Sequence, residues 1–393
     1  MVIAIDGYEA NVEHRVGIGR YAYEILTRMY AIRKEDLFYS HIFFRIYLPQ
    51  SPRSDMPKET AWWTYHIVKP KKLWTFIGFP LALFKDTPKA DVVFSPTHYI
   101  PRFITTPRVM SIMDVSYLSY PELFKAKDLH QLVHWTRYAA TRAKLIFTIS
   151  QFSRNAIIKQ YRVTPRQVVV TYPGLTEKVS GLPAGKAGIK YQVSSMEITK
   201  KYAIAKHYIL SVGTVQPRKN YERLIQAFSL FLQKNKQKFG TIDLVIVGKK
   251  GWLYDEILYA PKKFGVEKQV KFLDFVPDSD LAAIYKNALC FALPSLYEGF
   301  GLPVLEAMAC GCPVVVSNSS SLPEIAGQAG VYVDPDDVES IANGLLTAVR
   351  QRNLMQGKIR VKKGLDQVSK FSWDKAAKET LDLLERVGKG TLI

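Results

Sequence analysis

This chain of 393 residues contains little cysteine and no long apolar run. Its three cysteines, Cys290, Cys310 and Cys312, have no neighbouring cysteine or histidine that would complete a zinc site, so we expect buried free thiols in a reducing compartment. The apolar start Met1–Ile5 meets Asp6 at once and is too short for a signal peptide. No uncharged stretch approaches the roughly 20 residues of a membrane-spanning helix. These absences argue against a disulfide framework and favour a cytoplasmic globular protein.

Acidic residues are also scarce relative to basic ones. There are 54 lysines and arginines against 35 aspartates and glutamates, a net charge of +19. Such a surplus attracts anionic partners, which include nucleic acid, an anionic membrane surface and phosphorylated small molecules. None of the usual RNA- or DNA-reading motifs is present, so we predict no nucleic-acid partner and keep a basic nucleic-acid-binding protein only as an alternative.

Short β-branched runs alternate with longer helical patterns along the whole chain, six runs in each half. This pattern predicts two Rossmann-like, doubly wound α/β domains that face each other across a cleft. The predicted strands of the first half are Val2–Ile5, Phe43–Leu48, Asp91–Phe94, Arg108–Ile112, Leu145–Ile149 and Val168–Thr171. Those of the second half are Tyr208–Val212, Asp243–Val247, Val270–Phe275, Ala288–Leu293, Pro313–Ser317 and Gly330–Val333.

Domain boundaries follow from a change of composition between the halves. Residues 1–180 form the predicted first domain, and residues 206–370 form the second. The intervening residues 181–205, rich in Gly, Lys and Ser, are predicted to be a linker. Residues 371–393 contain an amphipathic helix that we expect to pack back on the first domain.

The densest motif, PSLYEGFGLPVLEAMACGCPVV, begins directly after a predicted strand of the second half. Gly299 and Gly301 form a loop that opens a predicted helix, Leu302–Ala309. Free N–H groups and the positive end of the helix dipole attract an anion at such a position. Glu298 lies in the loop, and Glu306 in the helix is a candidate to accept hydrogen bonds from two neighbouring sugar hydroxyls. For either glutamate alone a solvated carboxylate is the alternative, but the glycines, glutamates and flanking strands occur together.

This motif, with Glu298 and Glu306 separated by seven residues, resembles the signature of the family-four retaining glycosyltransferases. That family has the GT-B fold and includes many bacterial mannosyltransferases of polysaccharide assembly, and the resemblance extends over nearly the whole chain. It implies that Glu298 binds donor-sugar hydroxyls and that Glu306 holds the nucleotide ribose. It also implies that backbone N–H groups at Phe300, Gly301 and Leu302 contact sugar and phosphate.

In each half, one glycine-containing loop follows the first strand. Gly213 in SVGTVQPRKN permits close approach, and beside the family pattern Arg218 and Lys219 look like the pair that neutralises the donor diphosphate. Gly17 and Gly19 open a helix in the first half, and the resemblance implies that their loop packs over the donor phosphates. A solvated basic turn and a tight turn are the alternatives for these loops.

A third predicted contact lies where many relatives have a His–Asp pair, whose histidine touches the donor sugar near its C6 hydroxyl. This chain has Met113 and Asp114 there, and the missing histidine favours tolerance of a 6-deoxy sugar. We group Asp114 with the catalytic candidates. His98, after the preceding strand, is a candidate to replace the missing histidine in part. Core packing of Met113 and a structural role for His98 are the alternatives.

The resemblance implies glycosyl transfer, with retention, from a nucleotide diphosphate sugar to an acceptor hydroxyl. GDP-mannose is the first expectation for the donor. No metal and no other cofactor is expected, and the acidic cluster at residues 334–337 is expected to cap a helix. A GT-B nucleotide-sugar epimerase is the alternative enzyme, and the glutamate signature weighs against it.

Residues 62–89 are unusually rich in aromatic and basic side chains. The aromatic residues considered are Trp62, Trp63, Tyr65, Trp74, Phe76, Phe79 and Phe84, and the lysines are Lys69, Lys71, Lys72, Lys85 and Lys89. Tryptophan favours the headgroup layer of a membrane, and lysine is attracted to anionic lipid. We therefore predict a peripheral enzyme at the inner face of an anionic membrane, with a lipid-linked glycan acceptor. The alternative is that these aromatics fill the first domain's core.

Overall fold

A computed structural model describes residues 1–175, 195–234 and 241–391. These residues form two compact units, each built around one parallel β-sheet. The first unit contains Met1–Pro121, Ala126–Gly174 and the chain from Ser372 onward; the second contains Glu122–Lys125 and the described part of Leu175–Phe371. Of the predicted linker, residues 181–194 lie outside the described residues.

Seven parallel strands form the sheet of the first unit, in the order β3-β2-β1-β4-β5-β6-β7. They are β1 (Val2–Asp6), β2 (Phe43–Leu48), β3 (Trp63–Ile67), β4 (Val92–Ser95), β5 (Arg108–Ser111), β6 (Leu145–Thr148) and β7 (Val168–Val170). Our prediction of six strands here was wrong, because β3 was not recognised. Since β1 pairs with both β2 and β4, the strand order reverses between β1 and β4, where an open α/β sheet binds ligands.

Helices cover the sheet of the first unit. They are Ile18–Glu35, Phe79–Lys85, Ser116–Ser119, Ala126–Arg142, Gln151–Tyr161 and Trp373–Gly388, with a π-helical turn at Trp74–Gly78. The last of these helices packs against Ile18–Glu35 and β4. It buries Trp373, Leu381 and Leu384, so it forms part of this unit's core.

Several aromatic residues of 62–89 belong to that core. Trp63 is fully buried in β3, and Trp74 stacks on Phe79 with 5.6 Å between ring centroids. Phe79 in turn contacts Tyr47 at 5.0 Å. The expectation that Trp74 and Phe79 meet a membrane surface was therefore wrong. Burying an aromatic side chain of this size stabilises the fold by about 1.5–3 kcal/mol, which favours the interior.

Six parallel strands form the sheet of the second unit, as predicted, in the order β10-β9-β8-β11-β12-β13. They are β8 (His207–Val212), β9 (Ile242–Val247), β10 (Val270–Leu273), β11 (Cys290–Leu293), β12 (Val314–Ser317) and β13 (Val331–Val333). The described helices are Ser195–Tyr202, Tyr221–Lys234, Asp255–Lys263, Asp278–Asn287, Leu302–Ala309, Leu322–Ala326, Val338–Gln351 and Met355–Val368. The order of these strands reverses between β8 and β11.

Three further features of the described residues concern the sequence analysis. Helix Ser195–Tyr202 packs against Asp278–Asn287 and joins the predicted linker's end to the second unit. All three cysteines are buried free thiols, as predicted. No described helix is long and apolar enough to cross a membrane.

Candidate functional site

The loops after β8 and β11 meet at the reversal point of the second sheet. Leu296 N donates to Arg218 O at 3.0 Å. Asn220 extends the connection, since its Nδ2 donates to Pro294 O at 2.8 Å and to Pro335 O at 2.7 Å. These bonds join segments that are far apart in sequence and fix the side chains that the loops carry.

Arg218, Lys219 and Glu298 come together in this place. Lys219 Nζ donates to Glu298 Oε1 at 2.6 Å, and Arg218 Nη1 lies 3.3 Å from Glu298 Oε2. Ser295 Oγ donates to Glu298 Oε1 at 2.8 Å. Burial disfavours the charged carboxylate, but Lys219 and Arg218 outweigh burial and keep the pKa of Glu298 below its usual value. The result is a buried, ionised cluster with two cations and one anion.

Two serines, which sequence reasoning missed, fix the backbone around this carboxylate. Glu298 N donates to Ser320 Oγ at 3.2 Å, and Ser321 Oγ donates to Glu298 O at 2.9 Å and Phe300 O at 2.8 Å. Their signal in the sequence was the run of three serines after β12, because serine bonds readily to nearby backbone groups. The Glu298–Phe300 loop is thereby held from two sides.

Helix Leu302–Ala309 begins where the loop ends, as predicted. Gly301 adopts φ 106°, a backbone conformation that favours glycine, and a Cβ there would lie 2.8 Å from Leu322 Cδ2, so the Leu322 side chain would have to move. Gly301 has no side chain to cap this helix, and its carbonyl oxygen accepts from Val304 N at 2.9 Å. An oxyanion is a suitable partner for such a helix start.

Glu306 lies in the middle of the same helix and is held by a neighbour that sequence reasoning missed. Tyr285, on helix Asp278–Asn287, donates its hydroxyl to Glu306 Oε2 at 2.9 Å. Burial and the Glu306 carboxylate raise the pKa of Tyr285 well above its usual value, so it remains a hydrogen-bond donor at neutral pH. This bond fixes one carboxylate oxygen of Glu306.

Two glycines meet at the ends of β8 and β9. Gly213 was predicted, whereas Gly248, directly after β9, was not. A Cβ on Gly248 would lie 2.1 Å from Gly213 O, which no side chain can tolerate. Lys219 and Tyr221 lie just beyond Gly213, so the close approach brings this backbone beside the charged cluster.

The predicted residues of the first unit lie at the carboxyl ends of its own strands. Gly17, with φ 50°, precedes helix Ile18–Glu35, and a Cβ on Gly19 would lie 3.0 Å from Glu9 O. The close approach of the Glu9 carbonyl therefore explains why residue 19 is a glycine, and the positive φ explains why residue 17 is one. The proposed contacts of both glycines with a ligand stay predictions.

His98, Met113 and Asp114 lie together after β4 and β5. Met113 N donates to His98 Nε2 at 3.4 Å, and Asp114 Oδ1 accepts from Ser116 N at 2.9 Å. Burial lowers the pKa of His98, although Asp114 opposes this effect. The lowered pKa favours a neutral His98 at pH 7, and its Nε2 accepts the hydrogen bond from the Met113 backbone. A sugar or acceptor contact by this group stays a prediction.

Among the described residues, no group of three or more His, Cys, Asp or Glu side chains is arranged to hold a metal ion. Asp337, in the late acidic cluster, caps helix Val338–Gln351 by accepting from Glu339 N at 2.9 Å. The expectation that catalysis needs no metal stays a prediction, and the two cations beside Glu298 are the positive groups available at the site.

Comparisons with known proteins give one consistent picture. The family described as "Glycosyl transferases group 1" matches residues 195–362. O-antigen chain mannosyltransferase B of Escherichia coli is 31% identical over 384 residues, covering 93% of this chain and 95% of the relative. Serotype-specific mannosyltransferase WbdA of Escherichia coli is 32% identical over 238 residues, covering 60% of this chain and 28% of its own length.

Solved structures with low sequence identity share the fold. Sucrose-phosphate synthase from Thermosynechococcus elongatus has a TM-score of 0.73 at 15% identity and covers 99% of both chains. WaaG, a glycosyltransferase involved in lipopolysaccharide biosynthesis, has a TM-score of 0.69 at 18% identity, covering 98% of this chain and 99% of its own. These matches confirm the predicted GT-B fold.

Proposed function

This chain belongs to the group 1 glycosyltransferases, and on that basis we propose that it transfers a mannosyl unit from GDP-mannose to a hydroxyl of a glycan acceptor. The observation that carries the proposal is the buried cluster of Arg218, Lys219 and Glu298 beside the open helix start at Leu302. Cations and a helix N-terminus are suited to a diphosphate, and a carboxylate is suited to sugar hydroxyls. Mannose is favoured by the names of the relatives at 31% and 32% identity.

The reaction proposed here breaks the bond between the sugar C1 and the diphosphate oxygen and forms a bond between C1 and the acceptor oxygen, with retention. The acceptor proton passes to the departing diphosphate. Negative charge builds on the diphosphate as it leaves, so Arg218, Lys219 and the helix start stabilise the transition state more than the bound donor. The Glu298 carboxylate accepts from Lys219 and Ser295 at Oε1 and from Arg218 at Oε2, so Oε2 keeps a lone pair for a sugar hydroxyl.

The acceptor is proposed to be a lipid-linked glycan presented at the cytoplasmic face of an anionic membrane. Two observations support this: the relative that covers almost the whole chain is named as an O-antigen chain enzyme, and the chain has a net charge of +19. A positive protein is attracted to anionic lipid.

A donor screen tests the proposal directly. GDP-mannose at about 100 times its Kd should stabilise the fold by about 2.7 kcal/mol, because a ligand that binds only the folded state raises its stability. UDP-, ADP- and dTDP-sugars at the same concentration should give smaller shifts in Tm. Release of GDP with transfer of labelled mannose to a glycolipid extract should follow, and NMR of the product should show the donor's anomeric configuration. A larger Tm shift with a UDP-sugar would contradict the GDP-mannose assignment.

The Tyr285–Glu306 bond leads to a graded prediction for the nucleotide. In the Tyr285→Phe variant, Glu306 keeps its charge and loses its positioning partner, so GDP affinity should fall by roughly fivefold, about 1 kcal/mol. Tyr202→Phe is the matched control, because Tyr202 donates to Asp280 Oδ2 at 2.5 Å in the same unit. Calorimetry should show unchanged GDP affinity for the control. Equal affinities in the two variants would remove Tyr285 from the donor site.

A further inference from the structure

Four apolar side chains form an exposed row on the first unit, which we call the outer stripe. They are Leu73, Ile77, Leu81 and Phe84, all of them exposed. Ile77 lies in the π-helical turn, and Leu81 and Phe84 lie in helix Phe79–Lys85, at a spacing that places them on one helical face. Leu73 directly precedes the turn, with a left-handed backbone of φ 55°. Exposed apolar side chains grouped in this way mark an interaction surface.

The opposite face of the same segment is fixed in the core. Trp74, Phe79 and Leu83 are buried there with Tyr47 and neighbouring strand residues. The outer stripe cannot turn inward without withdrawing these side chains. The exposure of the outer stripe is thus built into the fold. Within this segment, the aromatic residues that fill the core lie on one face, and the apolar residues of the stripe lie on the other.

Lysines flank the outer stripe in the sequence. Lys71 and Lys72 precede it and Lys85 follows it, all exposed, and Lys89 Nζ lies 4.8 Å from the Phe84 ring centroid. The single acidic residue within 62–89 is Asp86, which is turned toward Arg45 at 3.3 Å and toward the Tyr47 hydroxyl. The border is therefore cationic at both ends of an uncharged segment.

We propose that the outer stripe inserts into the headgroup layer of an anionic bilayer, with the four lysines at the lipid phosphates. In this arrangement the apolar side chains contact the acyl chains, and the lysines lie at the level of the lipid phosphates. The protein surface thus matches the order of layers in the bilayer. Lysine stems can extend along the apolar face while the ammonium group reaches the phosphates. Binding needs neither donor nor turnover, so the inference goes beyond the proposed reaction.

Vesicle flotation tests this docking. The wild type should float with phosphatidylglycerol–phosphatidylcholine vesicles at low salt, and less with high salt or phosphatidylcholine alone. The Leu81→Ser/Phe84→Ser variant should partition at least tenfold less. Lys72→Gln/Lys85→Gln should also bind less, since each lysine contributes about fivefold, the equivalent of about 1 kcal/mol. Leu354→Ser/Met355→Ser is the control: these residues are 54% and 69% exposed, against 50% and 75% for Leu81 and Phe84.

The outcomes separate docking from catalysis. Mannosyl transfer to a delipidated acceptor fragment should be equal in the wild type and the Leu81→Ser/Phe84→Ser variant, and a lack of transfer in both would leave the flotation result intact. A wild type that ignores anionic vesicles at low salt would overturn the proposal. Equal flotation of the wild type and the Leu81→Ser/Phe84→Ser variant would also overturn it. A third contradicting result would be a wild type that forms a dimer and binds no vesicles while the variant is monomeric, since the stripe would then be a protein interface.

Discussion

Replacing Lys219 with methionine is expected to lower kcat by about 100- to 1,000-fold, the range for removing one group that stabilises developing negative charge. The same change should destabilise the fold by up to about 3–5 kcal/mol, because the buried Glu298 carboxylate would lose its nearer cation and keep Arg218 at 3.3 Å. Initial rates of GDP release and chemical denaturation measure the two effects. A kcat equal to the wild type's would contradict the assignment of Lys219 to the diphosphate.

A second variant separates the two effects. Lys219→Met/Glu298→Gln removes the Lys219 and Glu298 charges and leaves the Arg218 cation, whose side chain is 16% exposed, so it should regain part of the lost stability while remaining inactive. Lys263→Met is the matched control: Lys263 Nζ lies 2.9 Å from Glu222 Oε1, but this pair is on the surface. Its loss should change stability by about 1 kcal/mol or less and leave kcat unaltered.

The pair also predicts a dependence of stability on pH. The pKa of Glu298 is lower in the folded state than its usual value. The stability it contributes is therefore fully present above about pH 4.3 and is lost as pH falls through the lower folded pKa. The variant carrying Glu298→Gln should lack this component of the acid transition.

Replacing Glu306 with alanine should weaken GDP binding by tenfold or more. The proposed ribose contact would lose two charge-assisted hydrogen bonds, each contributing about 1.5–3 kcal/mol. Calorimetric titration with GDP measures the change. Affinity indistinguishable from that of the wild type would show that Glu306 does not hold the ribose.

This variant also leaves the buried Tyr285 hydroxyl without its carboxylate partner, at a cost in stability of about 1–3 kcal/mol. Adding Tyr285→Phe should restore part of that stability without restoring GDP affinity. Glu339→Ala is the control for a lost carboxylate, because Glu339 forms an exposed ion pair with Lys234 at 2.7 Å. Its GDP affinity should match the wild type's.

Local signals explain which parts of the site could be predicted. Around Glu298 the strand, the two glycines and the helix start are consecutive in sequence, so their order alone places the carboxylate in a loop that opens a helix. Arg218 and Lys219 likewise lie in the segment that connects β8 to helix Tyr221–Lys234. Tyr285 gave no such signal, because it reaches Glu306 only through the packing of two helices separated in sequence.

The segment at residues 62–89 shows why the remaining features were missed. Strand β3 lies at the edge of its sheet and mixes aromatic with polar residues, so it lacks the β-branched pattern of a central strand. Aromatic residues also suit both a core and a membrane surface, and composition does not distinguish them. Only the helical geometry separates buried Trp74 and Phe79 from exposed Leu81 and Phe84.

Helix Trp373–Gly388 has a consequence for synthesis on the ribosome. It completes the core of the first unit, yet it follows the whole second unit along the chain. Translation delivers it after the second unit, so that unit can fold during elongation while the first still exposes the surface that Leu381 and Leu384 will cover. A premature stop codon before Trp373 would therefore damage the unit that was translated first and spare the one translated second.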